Sequence, residues 1–460
     1  METKEIVAKK VEEYRSQGIN KVKVAITDID GVLRGKYISL DKFASIAAET
    51  SGFCDCVLGW DMDDQLYDNA KFTGWHTAFP DALYKLDLET ERRLPDEGNI
   101  PFFIGEFVDQ DKKSIHPIGP RSLLRRVLER AENLGLGINL AFEYEFFIFK
   151  ETAQSVREKN FQELSPLSPG NFGYSILRSS IFSDLFSELM DYCSALDCPL
   201  ESVHCETGPG VWEAAITYDQ GMKAVDKASL FKTFTKVFFQ KREMIATFMA
   251  KWSMDYPGQS GHCHQSVYDL KTGKNLFHDR QRHGGMSALM EQYVAGQKKY
   301  LQPFLAMFAP TINSYTRLVK GAWAPTAATW GIENRTTALR VIPGTEKSQR
   351  VEFRLGSADA NPYLVAAGTI AAGILGIEQK LTLDAPIVGN AYEVQDDLPP
   401  ELQLPGNLRD ATRNFAASAE AREFFGQAFV EHFVSSREWE CREYERHLND
   451  WQLKRYFELI

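Results

Sequence analysis

The sequence predicts an α+β protein in two parts: a small mixed domain over residues 1–114 and a larger domain over 115–460 that alternates strands with long helices. Three observations point to this. A hairpin pattern lies near the start. The segment Pro117-Ile118-Gly119-Pro120 punctuates the chain. Long helical patterns are few before that segment and frequent after it.

In order along the chain, Val22, Val24 and Ile26 alternate with polar or small residues, Asp30-Gly31 supplies a turn, and a second strand follows to Ser39. Asp41 is expected to cap a short helix running to Glu49. Beyond the boundary come an amphipathic helix over Ser122–Leu134 and a strand over Ile138–Phe149. Helices are expected at about 180–197, 221–250, 286–308, 361–380 and 407–447. Residues 151–172, rich in Ser, Pro, Gln and Glu, read as a surface loop. The apolar run Leu364–Ile377, about 14 residues, is too short to span a bilayer and reads as a buried helix.

Composition narrows the function classes. The net charge of −11 argues against nucleic acid or an anionic membrane as the main partner. The charged opening METKEIVAKKVEEYRSQG lacks the apolar core of a secretory signal. Seven scattered cysteines, with Cys54-x-Cys56 lacking a second pair, suit reduced structural thiols in a cytoplasmic protein. No G-x-x-x-x-G-K-[ST] loop is present, and Gly135-Leu136-Gly137 precedes a strand, the wrong context for a dinucleotide fingerprint.

Four segments hold the chemistry. In Ala141-Phe142-Glu143-Tyr144-Glu145-Phe146, alternation puts Glu143 and Glu145 on one face of a strand. Two carboxylates in an apolar strand call for a cation between them, unless that face is simply solvated. In HCETGPGVWEAAI, the turn Thr207-Gly208-Pro209-Gly210 can bring Glu206 and Glu213 to one end of a sheet. In Gly258-Gln259-Ser260-Gly261-His262-Cys263-His264-Gln265-Ser266, a glycine-containing loop leads to His262 and His264 on one strand face. They serve there as ligands and phosphate partners, or as a polar face. The fourth segment gathers Arg317, Arg335, Arg340, Lys347, Arg350 and Arg354, with Glu352, interleaved with Gly, Pro, Trp and Asn. Guanidinium forks suit carboxylates and phosphates. Carboxylates with histidine suit a hard cation such as Mg2+, which works beside substrate phosphates.

The order and spacing of these segments resemble the glutamine synthetase family. The marks are Glu143-x-Glu145, the pair Glu206 and Glu213, Ser260-Gly261-His262-Cys263-His264, Asn313-Ser314-Tyr315-Thr316-Arg317-Leu318-Val319, Asn334-Arg335-Thr336, Glu352-Phe353-Arg354 and Asn361-Pro362-Tyr363. The resemblance implies a small β-grasp-like N-terminal domain, a C-terminal catalytic α/β domain of the glutamine synthetase type, and a homo-oligomeric ring, a dodecamer, with active sites shared between subunits. It implies two Mg2+ (or Mn2+) ions per site, one held by Glu145, Glu206 and Glu213, the other by Glu143, His262 and Glu352. It places Arg317 and Gly258 at glutamate, Arg335, Arg340 and Arg354 at phosphate and acyl phosphate, and His264, Ser266, Lys347 and Arg350 on the nucleotide side. The implied reaction joins an amine to the γ-carboxylate of L-glutamate, with ATP forming γ-glutamyl phosphate first. Tyr392 sits where some bacterial members carry an adenylylated Tyr, but its surrounding spacing differs and modification is not expected.

Two departures bear on the amine. Ammonia-using members carry Glu in a G-Y-E-A-P-like flap, whereas this chain reads Gly321-Ala322-Trp323-Ala324-Pro325. Trp323 cannot accept a proton but offers a large apolar face, unless it only packs the flap shut. Where those members have D-G-S-S, this chain has Gly59-Trp60-Asp61-Met62-Asp63-Asp64, from which Asp61 or Asp64 is expected to act as base across a subunit boundary. The chain therefore resembles the γ-glutamylpolyamine and γ-glutamylmonoamine synthetases, with an ammonia-using synthetase and a non-catalytic ring protein as alternatives. Trp60, Trp323 and Trp330 would suit a monoamine, and Asp61, Asp63, Asp64 and Asp68 a polyamine.

Overall fold

The computed structural model describes residues 2–111 and 114–458; residues 1, 112, 113, 459 and 460 of the expected domains lie outside the described residues. Two sheets organise it. The first contains β1 (Lys21–Thr27), β2 (Leu33–Ser39), β3 (Ser51–Cys54), β4 (Asp81–Leu86), β5 (Arg92–Leu94) and β6 (Ile100–Phe107). Its order is β2-β1-β6-β4-β3, with β5 also on β6. The expected hairpin is β1–β2, and the parallel pairing of β1 with β6 gives the sheet its β-grasp-like order. Val22, Val24, Ile26, Phe103 and Phe107 pack under the helices Glu2–Ser16 and Leu40–Ile46. Ala25, Phe102 and Ile104 face the main core on the other side. The cap of the second helix is Ser39, whose hydroxyl accepts from Lys42 N, and not Asp41, which lies in the first turn.

The second sheet contains β7 (Leu136–Phe149), β8 (Leu200–Cys205), β9 (Val211–Ile216), β10 (Asp219–Gln220), β11 (Ile245–Thr247), β12 (Gly261–Asp269), β13 (Trp330–Ile332), β14 (Leu339–Ile342) and β15 (Arg350–Phe353). Its order is β13-β14-β15-β12-β7-β9-β8. Along β7, buried Ile138, Leu140, Phe142, Tyr144 and Phe146 alternate with the less buried Asn139, Ala141, Glu143 and Glu145. The buried set meets Phe231, Phe239 and Phe248 in an aromatic core.

The expected helix at 361–380 is Pro362–Glu378, buried from Pro362 to Gly376. It crosses the helix Ala288–Tyr300 closely: a Cβ on Gly296 would lie 2.1 Å from Ala372 O, so only glycine permits this approach. Asn361 caps the helix by accepting from Tyr363 N at 3.0 Å, and its amide donates to the carbonyls of Asp28 and Ile29 beside the β1–β2 turn. Tyr363 donates to Asp226 at 2.6 Å, and Asp226 accepts two 2.9 Å bonds from buried Arg121. Through Asn361 the β1–β2 turn of the first sheet is joined to the helix Pro362–Glu378 of the main core.

Several expected spans divide. The 221–250 pattern is the helix Gly221–Gln240 followed by β11, and 407–447 is three helices, Leu408–Ala417, Ala419–Phe425 and Gln427–Glu445. The 151–172 loop contains a short helix, Ala153–Glu158. All seven cysteines are free. Among the described residues, no helix is long and apolar enough to cross a membrane.

Candidate active site

One face of the second sheet carries the polar residues singled out above. Antiparallel register sets Glu143 opposite His262, Glu145 opposite Glu213, His204 opposite Glu213, His264 opposite Glu352, and Glu352 opposite Arg340. Because side chains alternate along a strand, the next residues on the same strands are core. The face floors a cavity of about 730 Å³.

His262 Nδ1 lies 3.3 Å from Glu143 Oε1 and 3.3 Å from Glu352 Oε1. Glu352, only 1% exposed, also accepts from Arg354 at 2.5 Å and Arg340 at 3.1 Å. Burial raises its pKa, but the charges of Arg354, His262, His264 and Arg340 outweigh it and hold the carboxyl well below the usual range. Glu143 is likewise pushed up by burial and brought down further, to about 2, by its His262 bond and both histidines. Glu145 accepts from Ser260 N at 2.7 Å.

Across the face, His204 Nε2 stands 3.1 Å from Glu206 Oε1 and 3.3 Å from Glu213 Oε1. Tyr174 stacks on the His204 ring at 4.4 Å. Burial, then the charges of Glu143, Glu145, Glu206 and Glu352, pushes Glu213 up to about 10. So much crowded carboxylate is costly without a positive charge.

Among the described residues, three groups offer ligand atoms mutually within 4.8 Å: Glu143, His264 and Glu352; Glu143, Glu213 and His262; and His204, Glu206 and Glu213. Carboxylate oxygens with a minority of imidazole nitrogens fit a hard divalent cation. The arginines border these carboxylates, Arg340 and Arg354 bonding directly to Glu352. Arg317, 2% exposed, donates to Leu355 O and Arg354 O, and burial lowers its pKa to about 10. Arg350 Nε approaches His264 Nδ1 at 3.3 Å, and exposed Arg335 lines the mouth. Gly258 is needed where it is: a Cβ there would lie 2.5 Å from Ala250 O and 2.8 Å from Arg317 Cβ.

The cavity thus gathers Glu143, Glu145, Glu206, Glu213, His262, Glu352, His264, Arg350, Arg317, Arg340, Gly258, Trp323, Arg335 and Arg354. It does not reach four others within this chain. Asp61 accepts from Trp439 Nε1 at 2.9 Å, and Asp64 pairs with Arg34 at 2.6 Å. Ser266 accepts from Asn139, and Lys347 is exposed on the turn between β14 and β15. Of the three tryptophans, Trp323 alone lines the cavity; Trp330 is buried in β13 and Trp60 lies under Arg34. Trp323 is 61% exposed, so within the chain it does not pack the flap shut. Sequence reasoning missed His204 and Tyr174. Alternation along β8 was the available signal for His204, two residues before Glu206. Tyr174 has none, since it arrives from a loop.

A floor of carboxylates and histidines interleaved with arginines suits divalent cations working beside phosphates. Residues 117–456 match the family described as glutamine synthetase, catalytic domain, and the chain belongs to the glutamine synthetase family. It is 44% identical to type-1 glutamine synthetase 2 of Dictyostelium discoideum, over 95% of this chain and 84% of that one. It is 34% identical to the glutamate–isopropylamine ligase of a Pseudomonas species, over 100% and 99% of the two chains. Its fold superposes on a solved GmaS/ADP complex with a TM-score of 0.84, at 26% identity, covering 97% of this chain and 99% of that one.

Proposed function

We propose that the protein is an ATP- and divalent-cation-dependent ligase that joins an organic amine to the γ-carboxylate of L-glutamate. One observation carries the choice of an organic amine: at the cavity mouth, the flap presents the apolar face of Trp323 and no carboxylate. The similarity to a glutamate–isopropylamine ligase along nearly the whole of both chains supports it.

In this reading, Glu145, Glu206 and Glu213 hold one Mg2+ (or Mn2+), and Glu143, His262 and Glu352 the other. When bound, the cations neutralise charge on the phosphates and on the transferring group. Arg317 and Gly258 position glutamate, so that its γ-carboxylate attacks the terminal phosphorus of ATP and ADP leaves. Arg335, Arg340 and Arg354 offset the charge that develops on the phosphoryl oxygens. His264, Arg350, Ser266 and Lys347 bind on the nucleotide side. The amine then attacks the acyl carbon of γ-glutamyl phosphate and phosphate leaves. A carboxylate must first take the proton of the ammonium form. Asp61 or Asp64 of a neighbouring subunit is assigned to that step, which requires a homo-oligomeric ring, proposed as a dodecamer. The division at residues 114 and 115 separates the domain supplying those aspartates from the catalytic one.

A second reading, glutamine synthesis from ammonia, is favoured by the 44% identity to a protein named a glutamine synthetase. Phosphate release from Mg-ATP and L-glutamate separates the two. Release with alkylamines, ethanolamine, aromatic amines or polyamines, but little with ammonium, is expected. Release chiefly with ammonium would retire the amine reading.

A further inference from the structure

The flap does not stand alone. Residues 387–396 form a strap behind it, and the strap is rooted in the Asn334-Arg335-Thr336 segment. Asn334 Nδ2 donates to Ile387 O at 3.0 Å and Gly389 O at 2.8 Å, and Ala391 N donates to Thr336 Oγ1 at 2.9 Å. Three strap side chains then reach forward. Tyr392 OH donates to Ala324 O at 3.0 Å, Asp396 pairs with Lys320 at 2.8 Å, and Gln395 accepts from Thr326. They grip the flap on both sides of Trp323.

The grip has something to hold. Trp323 has φ +60°, a left-handed conformation that a bulky side chain rarely adopts and that persists only when its surroundings fix it. Ala324, whose carbonyl Tyr392 holds, is the next residue and is 1% exposed. Burial pushes the Tyr392 phenol up against the opposing charges of Arg354 and Arg317, so the hydroxyl keeps its proton and remains a donor at neutral pH.

We propose that Tyr392 is the positioning residue of the flap, setting Trp323 at the cavity mouth and tying its placement to the segment that carries Arg335. This rests on the flap's place at the amine site, and it assigns Tyr392 a role that requires no covalent modification.

The test compares full-length wild type with Tyr392→Phe, and with Thr326→Val as an independent loosening of the same grip. Amide hydrogen exchange is read in peptides covering 319–327 and, as an internal control, 339–353. Steady-state KM values are read for ATP and for whichever nucleophile the wild type uses. Faster exchange confined to 319–327 is expected, with the nucleophile KM rising about 2- to 10-fold, the factor one neutral hydrogen bond commands. The ATP KM should stay at the wild-type value. Unchanged exchange in 319–327 would overturn the proposal, and so would an unchanged nucleophile KM. Neither outcome depends on whether the wild type prefers an organic amine or ammonium. That preference is read separately from the wild-type panel, so failure of the amine reading is distinguishable from failure of the positioning role.

Discussion

Replacing Trp323 with Glu exchanges the apolar wall of the cavity mouth for a carboxylate. The ring is 61% exposed, so stability should move by no more than about 0.5 kcal/mol. Burying the three carbons of a small alkylamine is worth about 2.4 kcal/mol in full, and one wall supplies about half of that. The new carboxylate attracts ammonium and the equally charged alkylammonium alike, so its charge cancels from the ratio. Loss of the wall therefore shifts the alkylamine-to-ammonium ratio of kcat/KM by about 1.2 kcal/mol, a fall of about 7-fold. Phosphate release measured in parallel with a three-carbon alkylamine and with ammonium gives the ratio directly. A ratio within about threefold of wild type, in a variant with an unchanged melting temperature, would refute selection of the nucleophile by the flap.

Glu352→Gln keeps the shape of the side chain but removes the charge shared by Arg354, Arg340 and His262. Phosphate release should fall about 10²- to 10³-fold with the size-exclusion volume unchanged, and near-normal turnover would count against a cation at this carboxylate. Gly258→Ala drives a methyl into Ala250 O and the Arg317 stem. The glutamate KM should rise about 10-fold while that of ATP holds, as steady-state kinetics will show. His432, buried against Tyr67 and Phe72, has its pKa lowered by burial to about 4. The unfolded chain therefore binds the proton more readily. The stability contribution is full above about pH 6.5 and is lost as pH falls toward 4, by about 2 kcal/mol between pH 7 and 5. Urea midpoints at the two pH values should differ less in His432→Leu than in wild type.

Much of the site was legible because it rests on strands. Period-two alternation put Glu143 with Glu145, and His262 with His264, without knowledge of any partner strand. The sequence could not show that β12 lies between β7 and β15, since pairing is a long-range outcome. Helix positions were legible from apolar spacing, but their ends were not. Ser418 and Gly426 cut 407–447 into three at points where the hydrophobic pattern continues unbroken. Ser39 displaced Asp41 as a cap because the chain enters the helix directly from β2. Asp61 and Asp64 answer to Trp439 and Arg34, contacts far away in sequence that no local pattern announces.

The strand β7 has a consequence for quality control. Its two faces are incompatible: one is aromatic core, the other holds Glu143 and Glu145. A slip of one residue against β12 would turn both carboxylates into the apolar layer and push phenyl rings into the cavity. Such a chain could not bury its core, so it would be discarded as unfolded before it could accumulate as a folded but inert enzyme. Correct placement of the two glutamates is thus proofread by folding itself, and surviving copies need no separate check that this part of the site was assembled in register.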